Sequence, residues 1–537
     1  MSDRILMAGD VDTIREYVFE TSSLPQIRGG SELLQECEGK IQEKYGSYVI
    51  YCKGGSFLLQ VPPGEAERIR REIEHLYLKQ TLVATVTIVY ETHSPPSEEP
   101  RPEGSWAQRI RDAAAGVPLD GGFAQRVLFL NARLREAKRE KTTAPFYEAL
   151  PFGKRCERCG KRMASAREPM EDGKALCLVC KHRDDKGRKR KGEIRGKFNQ
   201  EFWHRCKKNR TAEQPDDLDH LVASARRKYL AFFYADGNDI GSLLQKARIE
   251  KGEEEEKKYR QISEALQKGT QEALFQSLEA VCGAALEREG YWPFDIINIG
   301  GDDVTVLIQA GYAWDLAVEF LKHFEDEVSQ RLPEDLKAEW RPTASCGILI
   351  ADVKYPVRYM ERLATDLLKR AKKRAKEDPQ NPKSAIDFLW LPSPVASDRV
   401  EPLLSIYRRG GEVELTARPY TLDEAQRIRG LIPQVARWPR TTRHRWAEAL
   451  ERGLFQSLSF IQYDIARERG GKEKIATLEQ AGEILSKRGG RPITGLPIWY
   501  RIDNNQTVMW RTLLLDVLEL AELHAMRPDV EEEEEGI

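Results

Sequence analysis

Asp302 and Asp303 interrupt a run of β-branched residues in the segment IINIGGDDVTVLI, residues 296–308. Strand interiors exclude Gly and Asp, so this four-residue break predicts the turn of a hairpin. A turn by itself needs no chemistry. A third acid changes that: Asp236 follows the apolar run FFYA in KYLAFFYADGNDIGSLL, residues 228–244. If the strand ending at Asp236 lies beside the hairpin, three carboxylates meet at one sheet edge. Unpaired, they would repel one another, and Mg2+ (or Mn2+) is the natural counter-ion. It takes hard oxygen ligands and keeps positions for water and substrate phosphates. Two such ions would activate an attacking hydroxyl and steady a leaving pyrophosphate. Asp236, Asp302 and Asp303 are therefore the candidate metal ligands and catalytic residues. Gly300 and Gly301 would let the turn approach a triphosphate, and Gly237 and Gly241, flanking Asn238, would let backbone N–H groups point at it. The combination of D-x-N-x-x-G with GGDD points to nucleotide polymerisation or cyclisation, with a solvated acidic edge as the plain alternative.

The elements that must position these acids recur twice. Residues 228–352 read as strand, acidic turn, helix, hairpin, helix, strand. The N-terminal segment has the same order: RILMAGDVDTIREYVF, a helix over SELLQECEGKIQEKYG, the hairpin YVIYCKGGSFLLQV, a helix over GEAERIRREIEHLYLKQ, and the strand TLVATVTIVYE. The hairpins align as YCKGGSFLLQV with NIGGDDVTVLI, and only the second carries acids after its glycines. The fold class expected is α+β, with two ferredoxin-like modules of β-α-β-β-α-β order. The boundaries expected are a first module over 1–92, a linker and helical segment over 93–150, a cysteine-bearing unit over 151–225, a second module over 226–395 and a helical domain over 396–537. The linker is marked by HSPPSEEPRPEGS at 93–105, and the Glu-rich end beyond Pro528 is expected to be disordered. In the first module Ser56 and Phe57 cannot hold a metal, so this copy should bind nucleotide or serve structure. Asp10 and Asp12 keep an acidic turn without its counterpart, either as a helix cap or in function. Arg28, Gly29, Gly30 and Ser31, in LPQIRGGSELL, read as a phosphate-facing turn ahead of a helix.

Cys156, Cys159, Cys177 and Cys180 form two C-x2-C knuckles, a spacing that clamps one tetrahedral Zn2+ through four thiolates. Such a closed site has no open position, so its role is structural. The other five of nine cysteines are scattered and read as buried residues in a reducing compartment. Formal net charge is only -1, from 85 basic and 86 acidic residues, so nucleic-acid contact would rest on local basic density. KHRDDKGRKRKGEIRGK, residues 181–197, is the densest such stretch, and is either a solvated loop or an RNA or partner contact. No apolar run reaches the roughly 18 residues of a membrane helix and no signal-peptide layout opens the chain, so a cytoplasmic location is expected.

YADGNDIGSLL, NIGGDDVTVLI, SCGILIADVKYPV and LLKRAKKRAKEDPQNPKSAIDF resemble the catalytic palm of the large subunit of type III CRISPR effector complexes, itself related to GGDEF-type cyclases and polymerases. GDVDTIREYVFETSSLPQIRGGSELL is similar to that family's first palm, and LTARPYTLDEAQ to its C-terminal helical region. The resemblance implies a target-RNA-activated synthase that joins ATP by 3'-5' linkage into cyclic oligoadenylate, releasing pyrophosphate. It implies guide RNA, target RNA, and small and backbone subunits as partners. Carried over, Asp236 and Asp302 are metal ligands, Asp303 binds metal or helps activate the 3'-hydroxyl, and Gly300 and Gly301 lie under the triphosphate. Lys369 and Lys372 are either phosphate contacts or a solvated basic face, and Ser345 could present a hydroxyl to a base. Many relatives also carry an HD nuclease domain; none of the eight histidines here is followed by Asp, so DNA cleavage is not expected. The competing functions are the same palm coupling adenylate to another acceptor such as S-adenosylmethionine, a nucleotide-binding scaffold, and a template-copying polymerase.

Overall fold

The computed structural model describes residues 4–91, 123–141, 152–167, 173–190, 192–206, 211–241, 243, 253–337, 340–378, 380–410, 412–467, 471–493, 497–504 and 507–529. The linker motif at 93–105 and the Glu-rich end lie outside them.

The first sheet is built from β1 (Ile5–Val11), β2 (Val49–Lys53), β3 (Ser56–Val61) and β4 (Val86–Tyr90), in the order β2-β3-β1-β4, all antiparallel. Helices α1 (Leu24–Tyr45) and α2 (Ala66–Thr81) make the two crossovers. Apolar residues of both, among them Ile27, Leu34, Ile41, Ile69 and Ile73, are fully or nearly fully buried, as their helical spacing requires. A further helix, α3 (Phe123–Glu140), packs on β1 and β4 and closes a second small core of Leu6, Ala8, Leu58, Val127 and Leu130.

Next come the short strands β5 (Ala166–Arg167) and β6 (Ala175–Leu176), then α4 (Leu178–Gly187) and α5 (Lys197–Arg205). Helix α4 lies on α1, where Gly29 meets the backbone of Arg183 and Gly187 so closely that a Cβ would sit 1.9 Å from the Arg183 carbonyl oxygen. Glu20 fastens the unit from the first module, accepting from Arg162 at 3.0 Å and from the buried Arg183 at 3.2 Å.

The second sheet contains β7 (Tyr229–Gly237), β8 (Phe294–Gly300), β9 (Asp303–Gln309), β10 (Ala344–Asp352), β11 (Ala385–Trp390) and, at its edge, β14 (Tyr420–Thr421). Its order is β14-β11-β10-β7-β9-β8. Helices α6 (Glu253–Leu286) and α7 (Ala310–Arg331) make its crossovers, and α8 (Val357–Ala375) joins β10 to the parallel β11. The core β8-β9-β7-β10 repeats the order of the first sheet. The repetition extends to detail: β2 is bulged between Val49 and Tyr51, and β8 between Ile296 and Asn298, both four to two residues before the hairpin turn.

The C-terminal part, expected to be helical, also holds a five-stranded sheet. It consists of β12 (Arg408–Arg409), β13 (Val413–Glu414), β15 (Arg491–Pro492), β16 (Tyr500–Asn504) and β17 (Thr507–Arg511). Its helices are α9 (Leu422–Ala436), α10 (Arg440–Glu451), α11 (Leu454–Arg467), α12 (Gly471–Lys487) and α13 (Leu514–His524). α9 begins with a capping box between Thr421 and Glu424. The strands are short and three have only two residues, so they leave no readable alternation. One continuous hydrophobic cluster runs from Ile5 to Met526, with no described helix long and apolar enough to cross a membrane.

Candidate functional site

The three acids meet as the strand order requires. Asp236, at the end of β7, is paired directly with Asp303 at the start of β9, and the Gly237 N–H donates to the Asp302 carbonyl at 3.2 Å. Gly301 takes φ +73°, a conformation that L side chains rarely adopt. A Cβ on Gly300 would lie 2.4 Å from an Asp303 carboxylate oxygen and 3.0 Å from the Cα of Gly54. The second contact matters most: the two glycine hairpins face each other, first module against second, with no room for a side chain between them.

Beside this contact lies a cavity of about 580 Å3 lined by both modules, including Asp10, Arg15, Glu38 and Gly54 from one and Tyr234, Asn298, Asp303 and Glu361 from the other. Of the three acids Asp303 lines it, and burial strains the electrostatics of the group. Desolvation pushes the Asp302 carboxyl well up, with Asp236 and Asp303 adding repulsion. Asp303 is pushed up to about 7 by burial and by Asp236, while Arg15 pulls the other way. Its Oδ1 is buried with no hydrogen-bond partner. Lys372 supplies the local positive charge, donating to Asp236 Oδ2 at 2.6 Å and to the Gly237 carbonyl at 3.0 Å. Crowded, desolvated carboxylates with an orphaned oxygen fit a divalent cation, although their ligand atoms are not drawn together as tightly as those of the cysteines. Among the described residues, only Cys156, Cys159, Cys177 and Cys180 bring three or more such atoms within 4.8 Å of one another. All four are buried, and Cys159 and Cys177 lie 3.9 Å apart, the sulfur separation of a tetrahedron with Zn–S bonds of about 2.3 Å.

Several residues expected to touch nucleotide do other work. Arg28, Gly29, Gly30 and Ser31 stand inside α1 and not in a turn ahead of it. Arg28 is 1% exposed, donates to the carbonyls of Gly187 and Pro215, and pairs with Asp295, which also accepts from Asn199 at 2.9 Å. Ser31 donates to the Ile297 carbonyl at 2.6 Å and, unlike Arg28, also lines the cavity between the modules. This group rivets the first module and cysteine unit to β8, and no phosphate can reach the guanidinium. Ser345 is fully buried and donates to the Asn238 side chain at 2.9 Å, and Asn238 in turn donates to Thr343. Both hold the loop after Asp236 from beneath, out of reach of a base. Gly241 is exposed just beyond that loop, and Lys369 is 70% exposed and paired with Asp366, away from the acids. The basic stretch at 181–197 is largely consumed internally: Lys181 by Asp185, Lys186 by Glu32 and Glu36, Arg188 by Asp184, Lys189 by Glu213.

Lys138, Lys141, Arg15 and Glu38 carry no expectation from the sequence. Asp10 and Asp12 do not cap a helix: Lys138 donates to Asp10 at 2.6 Å and to the Val11 carbonyl at 2.9 Å, and Lys141 donates to Asp12 at 2.6 Å. Arg15 crosses from the first module to Tyr234, Glu361 and Thr365 of the second. Glu38 accepts the Gly55 N–H at 2.6 Å, and burial raises its carboxyl despite that bond. The only sequence signal for Lys138 and Lys141 was their i, i+3 spacing at the end of a basic helical stretch.

Residues 229–380 match the family model described as Cas10/Cmr2, second palm domain. Among solved structures, the chain is similar to crystal structures of a Csm1-Csm4 cassette. For the complex with pppApApA, identity is 14% and the TM-score 0.52, covering 97% of this chain and 69% of that one. The complex with cA4 gives 14% and 0.51 over 97% and 70%, and that with cA3 gives 13% and 0.50 over 98% and 70%. At these identities the likeness concerns the fold. A search of curated proteins finds no match. Residues 229–380 thus belong to the Cas10/Cmr2 second palm domain family.

Proposed function

We propose that the chain is a Mg2+-dependent nucleotidyltransferase that joins ATP through 3'-5' linkages into cyclic oligoadenylate, with release of pyrophosphate, when a guide-RNA complex engages target RNA. The observation that carries this reading is the pairing of Asp236 with Asp303, next to Asp302, in the family-matched palm, at a cavity shared with the first module. Its first module, 1–92, is then a degenerate palm that helps hold nucleotide without a second catalytic centre. The unit at 151–225 is a structural zinc domain, 226–395 the catalytic palm, and 396–537 a mainly helical domain facing other subunits. The similar Csm1-Csm4 cassette crystallised with cA3, cA4 and pppApApA supports adenylate as the building block.

Asp236, Asp302 and Asp303 would hold the metal, which when bound supplies charge for the reacting phosphate and lowers the pKa of the attacking hydroxyl. The residues themselves do the rest. Gly301, where a Cβ would meet nothing within 4 Å, leaves open space for a phosphate chain, Asn238 and Ser345 fix the loop after Asp236, and Lys372 balances that carboxylate until nucleotide arrives. Arg15 brings a cation from the opposite module to the cavity wall next to Asp303.

Product analysis by mass spectrometry tests the reading: the reconstituted RNA-guided complex is incubated with ATP, Mg2+ and target RNA, with and without S-adenosylmethionine. Adenylate rings are expected. A conjugate formed only with S-adenosylmethionine would keep the palm and replace the acceptor. No nucleotide product under any condition would leave a nucleotide-binding scaffold.

A further inference from the structure

Helix α8 and its C-terminal cap residue carry five exposed cations, Arg358, Arg362, Lys369, Lys373 and Lys376. At about 100° per residue they fall within about 60° of one another around the helix axis, and at 1.5 Å per residue they span about 27 Å. They form one straight stripe and not a scattered solvated face. The opposite face is apolar, with Met360, Leu363, Leu367, Ala371 and Ala375 buried, so the helix is firmly seated and the stripe is held in place.

The stripe differs from the other charge-rich surfaces of the molecule. On α2, Arg68, Arg70 and Arg71 are each matched by Glu65, Glu67, Glu72 or Glu74 one turn away. The basic stretch at 181–197 spends its charges on acids of its own unit and of the first module. On α8, Arg362 and Lys373 have no ion-pair partner among the described residues. Lys369 and Lys376 hold only single surface acids, Asp366 and Asp239, while remaining 70% and 53% exposed. Exposed pairs of this kind are worth about 0–1 kcal/mol and yield readily to a stronger anion.

The stripe also leads somewhere. Arg362 lines the cavity between the two hairpins, and Lys376, at the far end, holds Asp239 in the loop that follows Asp236. A polyanion lying along α8 would therefore run from the cavity mouth past the acid site. Aligned, solvent-facing cations with no built pocket suit a phosphodiester backbone read without sequence preference. We infer that the exposed face of α8 is a rail for a single-stranded oligoribonucleotide backbone. The occupant is a linear oligoadenylate extending from the cavity that Arg362 lines, an identification that rests on the proposed function.

The test is fluorescence anisotropy on the full-length chain, without turnover, comparing wild type with the double charge reversal Arg358→Glu/Lys373→Glu. A second double reversal, Arg71→Glu/Lys79→Glu on α2, corrects for general electrostatics. One probe is a 5'-triphosphorylated linear adenylate trimer, the other a 12-nucleotide mixed-sequence RNA with a 5'-hydroxyl. The α8 reversal should weaken binding at least roughly fivefold and flatten the slope of log K against log salt by about 1.4, two phosphates at about 0.7 each. The α2 reversal should do neither. Weakening of the trimer, with or without weakening of the RNA, supports the rail, and weakening of the RNA alone overturns it in favour of a separate RNA contact. No weakening of either probe, or equal weakening by the α2 reversal, overturns the inference. Because no product is measured, a catalytically silent chain would leave the result intact.

Discussion

The two glycine hairpins share one backbone and differ in a handful of side chains. Strand register makes Asp10 the counterpart of Asp236 and Ser56 the counterpart of Asp303, since each aspartate pairs directly with the residue named. Gly55 therefore stands where Asp302 does, one position away from the Ser56 and Phe57 suggested by simple alignment of the glycines. Both first-strand aspartates are held by a lysine in the same two-point way: Lys138 on Asp10 and the Val11 carbonyl, Lys372 on Asp236 and the Gly237 carbonyl. The repeat thus extends to the helix that follows each module. What separates the copies is the remaining pair of acids. At the first hairpin Lys138 and Lys141 answer Asp10 and Asp12 one for one, whereas with three carboxylates to one lysine the second is left short of positive charge.

That comparison can be broken at several points. The largest effect is expected from Asp302→Ala/Asp303→Ala, which should abolish nucleotide product while circular dichroism and zinc content stay unchanged. Product surviving in this variant would remove the chemistry from the second hairpin. Replacing Cys156 and Cys159 by Ser should release the metal, measured by atomic absorption, and unfold the unit docked on Glu20, because a four-thiolate site ties folding to metal binding. A metal-free variant with unchanged melting behaviour would contradict this. Arg28→Ala should cost about 3–5 kcal/mol in denaturant unfolding, since it strands Asp295 without its buried partner. A change confined to the KM for ATP would instead restore the phosphate-contact reading. Gly55→Asp, which supplies the missing acid to the first hairpin, should gain no activity and lose roughly 1–3 kcal/mol. Gly55 sits at φ +80° and a Cβ there would meet Ile14 at 2.0 Å. The smallest effect is Lys138→Ala: about 1 kcal/mol of stability with product formation kept, in contrast to Lys372→Ala, which should lower turnover.

Much of the acidic hairpin was legible because its signal is local. Glycines and acids within β-branched runs force a turn, and the repeated element order fixes which strand lies beside it. The C-x2-C knuckles were legible for the same reason. Arg28 to Ser31 were misread because two consecutive glycines look like a turn. In the fold they are helical, since only glycine allows α1 and α4 to touch backbone to backbone. Ser345 and Asn238 were placed at the correct site but on the wrong side of it, because the sequence gives a residue's strand and not the depth of its side chain. Lys138, Lys141 and Arg15 act across distances of roughly one hundred to three hundred and fifty residues, which no local pattern reports.

The central claim is that only the second hairpin is built to hold a divalent cation. Titration of Mn2+ into the full-length chain with ATP, followed by electron paramagnetic resonance, tests it with two variants, Asp303→Asn and Asp10→Asn. The account predicts that Asp303→Asn loses high-affinity Mn2+ while Asp10→Asn binds as wild type does. Undiminished binding in Asp303→Asn, or its loss in Asp10→Asn, would contradict it.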